Sequence, residues 1–397
     1  MLMRLSFASR TRASVLIATL LAVGGCAQLA RLAAVSATDT SRASVLGIRD
    51  ARFLPDETMA ITAMSRRLYD REVKYFASLN RPVPPEYILA VSGGGDNGAF
   101  GAGLLVGWSE NGTRPSFKVV TGISTGALIA PFAFLGSEFD PTLAELYTTI
   151  DERNIFQKRP MLAGVASDAL ADSTPLQHMI AKYLDERIVA RIGEEYQHGR
   201  ILIIITTNLD AGVPVMWNIG GIAESGHPEA VGLIRKILLA SASIPAIFPP
   251  VMFNVAVDGV EHQELHVDGG ASMQTFLYPA TLRIGKIRGA GPPRAYTAYI
   301  IRNGRLAEAW NETERSTLSI ATRAVATLTT NSGVGDLYRM YAQAKRDGVA
   351  FRLAYIGDDF AEPHPAEFDH AYMVKLFDYA RAKARAGYLW RNGPPGF

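Results

Sequence analysis

The sequence predicts an α/β protein, a three-layer α/β/α sandwich around a mostly parallel central sheet, and three observations carry that expectation. From residue 87 onward, short apolar runs with strand character alternate with longer helical stretches. One run, Ile201-Leu202-Ile203-Ile204-Ile205-Thr206-Thr207, is β-branched and apolar on both alternating faces at its centre, as a strand covered on both sides must be. Another, Phe117-Lys118-Val119-Val120-Thr121, passes through Gly122-Ile123-Ser124-Thr125-Gly126 into an apolar helical segment, so a strand turns into a helix at a serine.

The 397 residues, 48% of them hydrophobic, supply enough apolar surface for one large α/β domain or two modest ones. Charged residues make up 20% without an acidic or basic tract, so disorder is not expected. The formal net charge of +2 includes Arg4, Arg10 and Arg12 near the start. The near-neutral remainder gives no basis for a nucleic-acid partner.

Taken in order, residues 1–25 carry those arginines, the apolar run Val15–Val23 and then Gly24-Gly25, the zones of a secretory signal peptide. The run is shorter than the roughly 20 residues that span a bilayer. Cys26 is the only cysteine, which excludes intrachain disulfides and a cysteine-built zinc site. Val23-Gly24-Gly25-Cys26 resembles a bacterial lipobox, in which the cysteine is lipidated and becomes the mature N-terminus. An ordinary signal peptide with a coincidental cysteine, or an uncleaved anchor, would fit the same residues. The lipobox implies a membrane-tethered protein of the bacterial cell envelope. Ala27 and Gln28 lack the aspartate associated with inner-membrane retention, which favours the outer membrane.

Residues 26–85 read as a tether and helical lead-in: Ala27 to Ser44 is small and polar, and Met59 to Leu79 is amphipathic. Arg81-Pro82-Val83-Pro84-Pro85 breaks the chain ahead of a main domain over residues 86–392. There, a strand at Tyr87–Val91 leads through Ser92-Gly93-Gly94-Gly95 to a helix from about Asn97 to Glu110. After the serine turn, a helix covers Ala127–Leu135, and Asp172-Ser173-Thr174-Pro175 starts another. Met252–Val257 and Val260–Val267 flank Asp258-Gly259, a hairpin signal. Strands at Tyr296–Ile301 and Phe351–Ile356 and helices at Thr317–Arg346, expected to be broken, and His370–Ala386 complete the pattern.

Gly-x-Ser-x-Gly at a strand-to-helix turn is the pattern of a nucleophile elbow, with Gly122 and Gly126 needed for tightness and Ser124 held out at the top of the sheet. A nucleophilic serine needs donors for an oxyanion, and Gly93, Gly94 and Gly95, followed by Gly98, let backbone N–H groups converge. The same stretch is Gly-x-Gly-x-x-Gly after a strand, the dinucleotide fingerprint. That reading expects an acidic residue at the end of the next strand, where Thr121-Gly122-Ile123-Ser124 stands instead. No cofactor is implied. The base is expected at Asp268-Gly269-Gly270, which ends the second hairpin strand without an obvious returning strand. Burial would have to raise the proton affinity of Asp268 for it to serve. His266, two residues earlier on the same face, reads more simply as a hairpin histidine.

Glycine loop, Gly-x-Ser-x-Gly and distant Asp-Gly-Gly, in that order, resemble the patatin-like phospholipase family. The resemblance runs from about Tyr87 to Asn392 and includes Asp172-Ser173-Thr174-Pro175-Leu176, Thr206-Thr207-Asn208-Leu209-Asp210, Ala240-Ser241-Ala242-Ser243-Ile244-Pro245 and Phe248-Pro249-Pro250. It implies a serine–aspartate dyad without histidine: Ser124 attacks an ester carbonyl, Asp268 accepts its proton, and the amides around Gly93, Gly94 and Gly95 hold the oxyanion. The implied substrate is a lipid or other acyl ester. One departure stands out, because the family loop usually carries a basic residue where this sequence has Asn97. Two other readings stay open on the sequence. One is an α/β-hydrolase esterase whose triad uses His178, His198, His227, His262, His266, His364 or His370. The other is a lipoprotein that binds lipid through an inactive hydrolase fold.

Overall fold

The computed structural model describes residues 30–158, 169–288, 294–307 and 312–397. The expected signal peptide and the lipidation expected at Cys26 lie outside these residues. Among the described residues there are eleven strands: β1 (Arg52–Phe53), β2 (Glu86–Val91), β3 (Val119–Gly122), β4 (Gln157–Lys158), β5 (Ala171–Asp172), β6 (Ile201–Asn208), β7 (Val213–Asn218), β8 (Val251–Val257), β9 (Val260–Asp268), β10 (Tyr296–Arg302) and β11 (Ala350–Tyr355). Nine of them form one sheet in the order β1-β7-β6-β3-β2-β10-β11, with β9 pairing β6 and β8; β4 and β5 pair separately.

Strands β6, β3, β2, β10 and β11 are mutually parallel, so their C-terminal ends share one edge of the sheet. That edge is where open α/β sheets carry their sites. Alternation divides the core into two. Leu89 and Val91 of β2 and Leu202 and Ile204 of β6 face one cluster with helices Gly98–Glu110, Thr125–Leu135 and His370–Arg385. Ile88, Ala90, Ile203 and Ile205 face the other, with helix Thr58–Ser78 and the C-terminal part of helix Thr317–Asp347. All of β6 is buried, as its two-faced apolar sequence requires. The three-layer α/β/α architecture is therefore the observed one.

The β8–β9 hairpin turns at Asp258 (φ 51°) and Gly259 (φ 82°), both left-handed as a two-residue turn of this hand demands. Beyond the hairpin, β9 continues antiparallel to the end of β6, with Asp268 opposite Thr206. That neighbour is the partner strand that sequence left unidentified.

Two expectations are corrected. The helix expected to be broken runs without interruption from Thr317 to Asp347. Gly333 within it admits Arg302, whose Nη1 would lie 2.1 Å from a Cβ there, so close packing rather than a break explains the residue. The helical lead-in expected over Met59–Leu79 is present as helix Thr58–Ser78, but the stretch expected as a tether, Ala27 to Ser44, is tied to the domain from residue 30 onward. Ser44 bridges Ala256, Arg31 pairs with Asp210, and β1 adds an edge strand antiparallel to β7. Arg52 of β1 donates to Glu264 of β9 in an ion pair with side chains 6% and 0% exposed. Such a pair is tolerated because each charge cancels the desolvation cost of the other.

Among the described residues no helix is long and apolar enough to cross a membrane. Removing one partner of a buried ion pair strands the other, so Arg52→Ala is expected to cost about 3–5 kcal/mol of unfolding free energy. Urea denaturation checks this. A cost near zero would show that the lead-in is not integral to the fold.

Candidate active site

Ser124 leaves β3 at φ 55° and ψ −125°, a conformation a non-glycine residue adopts only under constraint, and helix Thr125–Leu135 begins immediately after it. The constraint is steric. A Cβ on Gly126 would lie 2.3 Å from the Val91 carbonyl oxygen, and one on Gly122 would lie 2.4 Å from that of Gly126. The Ser124 N–H donates to Ser241 Oγ (3.1 Å), whose hydroxyl donates to the Ile205 carbonyl (2.7 Å). A buried serine on a neighbouring helix thus ties the elbow to β6, a contact the sequence motif around Ser241 did not disclose.

Asp268 ends β9, where its N–H donates to the Ser243 carbonyl at 2.8 Å. Its Oδ1 accepts the Gly270 N–H at 2.7 Å, and its carboxylate hydrogen bonds with the side chain of Ser124. Burial pushes its pKa up to about 7, against the opposing pull of the bonds from Ser124 and Gly270. A carboxylate with that proton affinity can take and return a proton near neutrality, as a general base must. Gly269 and Gly270 form the 3-10 turn that follows, and Gly269 packs against the Ile205 carbonyl.

His266 is not the partner of this pair. Its Nδ1 meets Thr206 Oγ1 at 2.8 Å and its Nε2 meets Glu264 at 3.1 Å. Burial raises the Glu264 pKa, but the bonds from His266 and Arg52 outweigh it and hold the group down at about 2. Burial lowers the His266 pKa in turn. The neutral ring therefore donates from Nε2 to Glu264 and accepts the Thr206 hydroxyl at Nδ1, while Thr206 Oγ1 accepts the Trp217 indole N–H at 2.7 Å. Among the described residues no histidine hydrogen bonds to Ser124 or Asp268.

The glycine loop lies against the elbow, with one correction to the expected donors. The Gly93 N–H is committed to the Gln274 carbonyl at 3.0 Å, so it does not belong to the oxyanion set. Its place is explained by close approach, since a Cβ there would lie 3.2 Å from Ser124 Cβ. Gly94 sits at φ 152° with the Asn303 carbonyl oxygen 2.0 Å from where a Cβ would be, so only glycine fits. Among the described residues the N–H groups of Gly94, Gly95 and Thr125 donate to no other backbone group. They are the available donors, and Thr125 adds the positive end of its helix. Gly98 opens helix Gly98–Glu110, and Asn97 Oδ1 accepts the Tyr372 hydroxyl at 2.7 Å.

Asp96, His364 and Glu367 converge beside the loop, with potential ligand atoms within 4.8 Å of one another. Asp96 Oδ2 and His364 Nε2 are 2.7 Å apart, a hydrogen-bonded ion pair in which the proton already fills the place between the two atoms.

A strained serine elbow at the C-terminal edge of a mostly parallel sheet, faced by a glycine loop, defines an α/β protein of the nucleophile-elbow class. Residues 89–281 of the chain match the family model of the patatin-like phospholipases. No curated protein sequence matches it. Among solved structures it is similar to VipD from Legionella pneumophila (12% identity over 78% of this chain and 68% of that one, TM-score 0.32). It is also similar to the human GIVD cytosolic phospholipase A2 (10% identity over 85% of this chain, TM-score 0.33), of whose length it covers 65%.

The raised Asp268 pKa has a consequence for stability. Between its ordinary value of 3.8 and about 7, the folded protein holds a proton that the unfolded chain has released. Stability must therefore fall as pH rises through that window, by up to about 4 kcal/mol. Asp268→Asn removes the cost, so the variant is expected to exceed wild type in urea stability at pH 8 and converge with it near pH 4. A variant less stable than wild type at pH 8 would contradict this.

Proposed function

We propose that the protein is a lipid acyl hydrolase that cleaves carboxylic esters through Ser124 and Asp268 by way of an acyl-enzyme. The observation that carries this reading is the buried Asp268 carboxylate, hydrogen bonded to the Ser124 side chain and raised to a pKa of about 7. In the proposed reaction the Ser124 Oγ attacks the ester carbonyl carbon as Asp268 takes the hydroxyl proton. The N–H groups of Gly94, Gly95 and Thr125 receive the developing oxyanion. Collapse of the tetrahedral intermediate expels the alcohol, which leaves with the proton from Asp268. A water deprotonated by Asp268 then attacks the acyl-enzyme and releases the fatty acid, restoring Ser124.

The match of residues 89–281 to the patatin-like phospholipase model supports a lipid substrate. Asn97, engaged with Tyr372, gives no positive charge to meet an anionic headgroup, so the reading commits to the acyl ester rather than to a phospholipid. The triad alternative loses support because both His266 nitrogens are occupied by Thr206 and Glu264. The inactive-scaffold alternative leaves a costly buried carboxylate beside a strained serine without a purpose. We also propose, on the sequence around Cys26, that the protein is lipid-anchored in the bacterial cell envelope, on the outer membrane.

Reaction with a fluorophosphonate tests the assignment. Wild type is expected to be labelled and Ser124→Ala not, and Asp268→Asn is expected to lose about 10²–10⁴-fold in kcat on a short-chain ester. Labelling that persists in Ser124→Ala would refute it. Because Asp268 acts as its carboxylate, kcat/KM is expected to rise with pH through about 7, and an acid limb below pH 5 would be incompatible. Cys26→Ser is expected to release the protein from membranes; unchanged partitioning would count against the anchor.

A further inference from the structure

We propose that His364 is a positioning residue for the oxyanion loop: through Asp96 it fixes the far end of the loop and balances the carboxylate charge beside the free amides of Gly94 and Gly95. The inference rests on the acyl-hydrolase reading above and adds to it a residue from far outside the three catalytic motifs.

The loop hangs between two anchors. At its start, the Asn303 N–H and Nδ2 donate to Ser92 Oγ (2.8 Å) and to the Ser92 carbonyl (2.9 Å), and the Gly93 N–H is held by Gln274. Past the two free amides comes Asp96, 1% exposed, whose Oδ2 receives His364 Nε2 at 2.7 Å and the Phe368 N–H at 2.9 Å. The segment that supplies both donors ends where helix His370–Arg385 begins, and on that helix Tyr372 donates to Asn97. The Tyr372 and His364 rings lie 4.3 Å apart. Gly94 and Gly95, both at positive φ, have no side chains of their own to hold their amides in place, so the two anchors must do so.

Charge makes the histidine more than a strap. A buried carboxylate close to the loop opposes the negative charge that develops on the oxyanion, unless a cation faces it. The groups around His364 are mostly acidic: Asp96 from the loop, Glu367 and Asp369 from its own segment, and the Tyr372 hydroxyl from the following helix. Glu362 is paired with Lys375 at 2.7 Å, and Arg305 is bonded to the carbonyls of Gly357 and Phe360. The hydrogen bond to Asp96 is the main cause that raises the His364 pKa above 6.5, with burial opposing it. The imidazolium form is thus held to higher pH than in an ordinary histidine, and it is lost as pH rises through the raised value. Oxyanion support should weaken on the alkaline side, opposite to the acid limb set by Asp268.

The test measures kcat and KM against pH on a p-nitrophenyl ester with the purified chain, alongside fluorophosphonate labelling and thermal melting. His364→Ala is expected to lower kcat about tenfold or more with KM little changed, and to abolish the alkaline limb. His364→Gln restores a neutral donor to Asp96, so it is expected to recover part of kcat and show no alkaline limb. In an Asp96→Asn background, where no charge remains to balance, His364→Ala is expected to have little further effect. Wild-type kcat with the alkaline limb retained in both single variants would overturn the proposal, and if His364→Ala fails to fold, the same result in His364→Gln alone overturns it. Failure of wild type to be labelled at Ser124 would instead strike the acyl-hydrolase reading itself, so the two failures are distinct.

Discussion

The antiparallel register between β9 and the end of β6 is the constraint on which the site depends. Along one edge of β6 lie first β3, which ends at the elbow, and then β9, which ends at Asp268, while β7 takes the other edge. With Thr206 opposite Asp268, the carboxylate arrives at the C-terminal edge of the parallel strands, beside Ser124. A slip of one residue would turn Asp268 to the other face and bring Val267 in its place. Short-range preferences do not set such a register, because the two strands are far apart in sequence.

What locks the register is a buried polar chain: Trp217 to Thr206, Thr206 to His266, His266 to Glu264, and Glu264 to Arg52. It joins β7, β6, β9 and the edge strand β1. Each polar atom left unpaired in this place would be costly, so the arrangement has few alternatives. His266, which in a triad would act chemically, serves here as a link that keeps Asp268 where it is. The lead-in before residue 86 contributes through Arg52, and for that reason it is part of the hydrolase fold.

The site itself is made of groups held against their preferences. Ser124 is in a strained backbone conformation, and Asp268 is a carboxylate in an apolar setting. Both are maintained by close contacts of neighbouring strands and helices, and in the proposed reaction both are useful for the same reason that they are costly: strain would present the serine oxygen, and desolvation would make a weak base a competent one.

Local chemistry was legible in the sequence wherever a residue type answered a local need. Gly122 and Gly126 around Ser124, the Asp258-Gly259 turn and the two-faced apolar run of β6 each satisfy a steric or solvation rule within a few residues. Asp268 was legible as a motif, though not its partner strand. The commitment of the Gly93 N–H to Gln274, the tie from Ser124 to Ser241, the packing of residues 30–57 and the clamp of His364 on Asp96 were not legible. The sequence alone determined the layered α/β class, the elbow and the candidate nucleophile, because these follow from periodicity and from the room a backbone needs. Only the tertiary structure decided which amides are free, which carboxylate lies beside the serine and what engages His266 and His364. Those outcomes depend on contacts between residues distant in the chain, and no local pattern encodes them.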